Sequence, residues 1–103
     1  MSNLGLAYYS LGDYQRAIDF HQQHLTIARE IGDKWGEGIA LGNLGGAYYS
    51  LGDYAKAIDF HLQHLTIARD IGDKRGEGNA LVNMGATHSW FAKNRKSLKI
   101  SRD

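Results

Sequence analysis

Two histidine pairs, His21-x-x-His24 and His61-x-x-His64, are the residues of this 103-residue chain that most invite chemistry. Side chains three apart share a helix face, so two imidazoles so placed could chelate zinc, copper or nickel. No cysteine accompanies them, however, and both pairs recur in the same local sequence. A packed or solvent-facing ring is therefore the simpler reading, and no metal site is expected. Gly36-x-Gly38 and Gly76-x-Gly78 imitate half of a dinucleotide fingerprint, but Leu41 and Leu81 occupy the third glycine position. No strand leads into them and no Gly-Lys-Ser/Thr follows, so a phosphate loop is rejected. The carboxylates Asp53, Asp59, Asp70, Asp73 and Glu77 are expected on caps and outer faces, without a paired general acid and base. No catalytic residue and no cofactor is expected, and the chain does not read as an enzyme.

The composition narrows the partners. Apolar residues make up 43% and charged residues 22%, with a net charge of +1. No global field draws such a chain to nucleic acid or anionic lipid. The longest charge-free runs, Gly38–Gly52 and Gly78–Ala92, hold 15 residues each, against roughly 20 apolar residues for a bilayer span. Neither a membrane nor nucleic acid is expected as a partner, and no secretory signal opens the chain. A cytoplasmic setting is the expectation. Lys93–Asp103 carries five basic residues and one acid. It reads as a polar end cap, with Leu98 and Ile100 covering the last repeat.

The elements that would position any site come from an internal repeat. Asn3–Ala40 aligns with Asn43–Ala80 without a gap, and 31 of 38 positions are identical. The period of 40 residues lies in the solenoid range. A third copy begins at Asn83-Met84-Gly85 and decays after Ala86. The chain thus divides into a partial first repeat (1–32), a second (33–72) and a degenerate third (73–103) within one domain.

Each period reads as two helices. Tyr54, Ala57, Ile58, His61, Leu65, Ala68 and Ile71 recur at three- and four-residue spacing and form one stripe. Gly72 is suited to end that helix in a left-handed conformation, and Asp73 to cap the next. Gly52-Asp53 separates the preceding pair in the same way. Helices are expected near 2–11, 14–31, 34–51, 54–71 and 74–92, with a weaker sixth around 94–102. The helix over 34–51 contains Gly36, Gly38, Gly42, Gly45 and Gly46. At about 0.8–1 kcal/mol each, these cost some 4–5 kcal/mol against alanine, which packing must offset.

The signature Leu41-x-x-Leu44-Gly45-x-x-Tyr48 followed by Ala57 resembles the tetratricopeptide repeat. Leu41 replaces the family tryptophan, His61 the phenylalanine, and the closing proline is absent. The pattern recurs at Leu4-Gly5, Tyr8 and Ala17. The long period and the string His61-x-Gln63-x-Leu65-x-Ile67-Ala68…Gly72-Asp73-Lys74 resemble the long-helix branch of spindle-orientation adaptors, kinesin light chains and bacterial multi-repeat proteins. The resemblance implies an all-α, right-handed superhelical solenoid of antiparallel helix pairs, about two and a half repeats long. Gly45 is expected at a close helix approach with Ala57 as its small partner, and Tyr48 and Tyr54 in the wedge between helices.

The same resemblance puts the first helix of each repeat on a concave groove that binds a peptide segment of a protein partner. Four of the eight differences between copies through 42/82 fall on that stripe: Leu6/Gly46, Trp35/Arg75, Ile39/Asn79 and Gly42/Val82. A constant scaffold with one changing face suits recognition. Asn3, Asn43 and Asn83 recur once per repeat, and an amide can pair with any peptide bond. Trp35, Ile39, Tyr49 and Trp90 would supply apolar anchors, Asn79 a polar contact, and Arg75 a cation for an acidic group. Gly42 and Gly46 would leave the groove floor open. The alternative is a structural role, in which uncapped repeat ends stack or exchange helices to form a homo-oligomer.

Overall fold

A computed structural model describes residues 2–98, with side chains described over 4–88. Five helices follow one another: α1 (Ser2–Ser10), α2 (Tyr14–Ile31), α3 (Lys34–Leu51), α4 (Tyr54–Ile71) and α5 (Lys74–Leu98). Each packs antiparallel on the next, and α3 also touches α5 lightly. The body measures 47 × 31 × 19 Å, so its thin dimension is about two helix diameters.

One two-residue device makes every turn. Gly12, Gly32, Gly52 and Gly72 adopt left-handed φ of 73–88°, where a β-carbon would be strained. The following Asp13, Asp33, Asp53 and Asp73 return their amides to the helix just ended, as in Asp33 N to Ala28 O at 2.8 Å. The same aspartates then cap the next helix: Asp33 Oδ1 accepts from Gly36 N at 2.9 Å and Asp53 Oδ1 from Lys56 N at 3.2 Å. These joints agree with the sequence reading.

The separate sixth helix does not. α5 continues unbroken through residue 93 to Leu98. Ala92-Lys93 stands where the earlier repeats have Gly12-Asp13 and Gly52-Asp53, so neither a left-handed stop nor a cap is present. Alanine and lysine both favour helix. The expected cover by Ile100 lies outside the described residues, as does that by the Leu98 side chain.

The core runs along the helix seams. Ile18, Leu25, Ala40, Leu41, Leu44 and Ala47 are buried together, flanked by Tyr9, Tyr48, Phe60 and Ile67. Tyr48 stacks on Phe60 at 5.4 Å, as Tyr8 does on Phe20 at 5.6 Å, while Tyr54 meets Tyr49 edge-on. The close approach at Gly45 has a different partner from the one expected. A β-carbon there would lie 2.5 Å from the His61 ring, and one at Gly5 equally close to His21. Ala57 is buried but does not occupy that seat.

Four of the five α3 glycines thus meet something. Gly36 sits under the Asp33 carboxylate, Gly38 and Gly42 against His64, and Gly45 against His61. Only Gly46 has open space where a side chain would be. Close packing on α4 is what offsets the poor helix propensity of α3.

The cleft between α3 and α5

α3 and α5 are successive first helices, held apart by α4. Equivalent registers on the two helices bring Trp35, Ile39, Gly42 and Asn43 opposite Arg75, Gly76, Asn79 and Asn83. Steps of four residues keep each set on one face. Together with His64 from α4 and Asp73 from the turn, they line one cleft of about 310 Å³. Its two walls differ in chemistry. The α3 wall is apolar at Trp35, 56% exposed, and at Ile39 beside it, and ends in the Asn43 amide. The α5 wall carries a guanidinium and two amides, all exposed.

Six of the nine residues singled out in the sequence therefore share this cleft: Trp35, Ile39, Asn43, Arg75, Asn79 and Asn83. Tyr49 does not line it; that ring is exposed and lies 5.2 Å from Tyr54. Next to it, Ser50 shares a hydrogen bond of 2.9 Å with Tyr9, which ties α3 to α1 rather than facing a ligand. The side chains of Asn3 and Trp90 lie outside the described residues. Val82, from the same variable stripe, is 70% exposed and outside the cleft lining.

The floor departs from expectation at one glycine. Gly42 does not open onto empty space: a β-carbon there would come 2.9 Å from His64 Nδ1. His64 is the lining residue that sequence reasoning missed. Burial holds its imidazole below the ordinary value near 6.5, partly countered by the Asp73 carboxylate. The available signal was the coincidence of two glycines, Gly38 and Gly42, one helical turn apart on α3. Both leave room for this one ring.

The remaining polar groups hold helices together. Glu37 accepts from Arg29 Nε at 3.0 Å and from Lys34 Nζ at 3.3 Å, joining α2 to α3. Arg69 and Lys74 repeat the arrangement around Glu77, joining α4 to α5. Glu37 is only 7% exposed, so this carboxylate lies in the α2–α3 seam. Burial pushes its carboxyl up, but hydrogen bonds from Arg29 and Lys34 outweigh that and hold it below the usual range. Among the described residues, no three histidine, aspartate or glutamate side chains gather in a metal-holding group. No described helix is long and apolar enough to cross a membrane.

Glycine-seated helix pairs, Gly-Asp turns and a 40-residue period define a solenoid of helix hairpins. The chain belongs to the tetratricopeptide repeat family, whose model matches residues 1–70 and again 36–100. Repeats of this kind generally mediate protein–protein contacts and are typically non-catalytic. Over 41 residues, 40% of its length, the chain is 51% identical to G-protein-signaling modulator 1 of Mus musculus and of Rattus norvegicus. The human protein of that name is 46% identical over an equal stretch. The chain spans 6% of the length of each of these relatives.

Proposed function

We propose that the chain is a cytoplasmic, non-enzymatic interaction module that holds a peptide segment of a partner protein in the α3–α5 cleft. The observation that carries this reading is the pairing of an apolar wall, Trp35 and Ile39, with a hydrogen-bonding wall, Arg75, Asn79 and Asn83. An extended peptide has the matching chemistry: side chains that seek apolar anchors and a backbone that needs donors and acceptors. Asn43 and Asn83 would each pair with a peptide bond, and Arg75 would favour a nearby carboxylate.

Selection of a displayed peptide library on the wild-type chain and on an Asn43→Ala, Asn83→Ala chain tests it. The double variant is expected to hold the selected peptides roughly tenfold or more weakly. Equal retention of every peptide by both chains would overturn the cleft reading. A second reading, self-association, draws support from exposed Leu4 and Leu6 on α1 and exposed Leu81 and Val82 on α5. Light scattering over a hundredfold range of concentration decides it, since a constant monomer mass removes that role.

A further inference from the structure

One ring of each histidine pair is buried in a helix seam. His21 and His61 are 1% and 2% exposed, each pressed into the space left by a missing side chain, Gly5 for one and Gly45 for the other. Neither ring nitrogen of His21 has a hydrogen-bond partner, and Nδ1 of His61 has none. A neutral imidazole can bear this arrangement at a cost, whereas an imidazolium would bring two N–H donors and a charge into it.

The surroundings offer no relief. α1 contains no charged residue. α3 contains only Lys34 and Glu37, which lie in its first turn and bond to each other. Among the described side chains, α5 contributes Lys74, Arg75 and Glu77 at its start and the exposed His88. None of these acts on either ring. Burial comes first in lowering both imidazoles, and a histidine one turn further along, His24 or His64, adds to it. A phenylalanine would fill such a seat without polar atoms, so histidine makes these joints conditional on staying neutral.

We propose that the two seats are acid-released latches: proton uptake by His21 and His61 expels their rings from Gly5 and Gly45 and opens the α1–α2 and α3–α4 pairs. The latches lie one repeat apart and in register. Gly85, the third glycine of the series, has nothing within 4 Å among the described residues.

The sign follows from linkage. A histidine held below its unfolded value contributes stability that is complete above 6.5 and is lost as pH falls through the folded value, about 4 for His61. The test is urea unfolding of the full chain at pH 7.5 and pH 5.0, with NMR titration of the imidazoles. For His61 alone, the folded-to-unfolded ratio should fall roughly 25-fold between these pH values. Neither the His21 nor the His61 resonance should titrate near 6.5 while the chain is helical. A chain with His21→Phe and His61→Phe should lose most of this pH dependence, with His61→Leu as the smaller replacement. Either ring titrating near 6.5 with helix content intact, or an unchanged urea midpoint, would overturn the proposal. The NMR measurement uses the native chain, so a variant that fails to fold leaves the proposal exposed.

Discussion

At the scale of single residues, adjacent glycines in α3 carry opposite predictions. Gly45 is seated against His61, and Gly46 faces open space. Gly45→Ala should overpack that joint and lower stability by about 1–3 kcal/mol. Gly46→Ala adds helix propensity without a contact and should raise it by about 0.5–1 kcal/mol. Urea unfolding at neutral pH measures both. Glu37→Gln should cost about 1–2 kcal/mol, because a mostly buried acceptor loses its charge between Arg29 and Lys34. Glu77→Gln should cost less, since the same contacts there are more open to water. The Glu37 carboxyl is held low, so its contribution is present above about 4.5 and fades as pH falls further. That window lies below the upper part of the histidine window, and measurements at pH 5.0 keep the two apart.

At the scale of elements, Gly-Asp punctuation decides where helices stop. Replacing Ala92 by glycine and Lys93 by aspartate should restore a joint and divide α5 near residue 91. Hydrogen exchange at amides 92–95 should then speed up relative to the unaltered chain. The helix boundaries through Ile71 were legible because each is written twice in the sequence, as a left-handed glycine and a capping carboxylate. The run of α5 past 92 was equally legible in principle, since that dipeptide is absent there. The site was readable only in part. Trp35, Ile39 and Asn43 lie at four-residue steps, so their common face follows from helix geometry alone. The depth of His64 does not, because a His-x-x-His pair looks alike on a buried or a wet face. Only the α3–α4 approach, set by Gly38, Gly42 and Gly45, places that ring on the cleft floor.

At the scale of the whole molecule, stability is close to a sum over neighbouring helix contacts, because each helix touches chiefly the one before and the one after. The joints at Gly32-Asp33-Lys34 and Gly72-Asp73-Lys74 are identical in sequence and nearly so in backbone angle, with φ of 73° and 74°. Residues 33–72 therefore form a cassette whose two cut ends match. Splicing a second cassette after Gly72 should lengthen the rod by one hairpin, add a second hollow with an indole on both walls, since the copied Trp35 takes the place of Arg75, and raise the thermal midpoint by several degrees. Scanning calorimetry reads that midpoint directly. A chain built from interchangeable links can change its reach, and what it grips, by copying a stretch of itself without redesigning any joint.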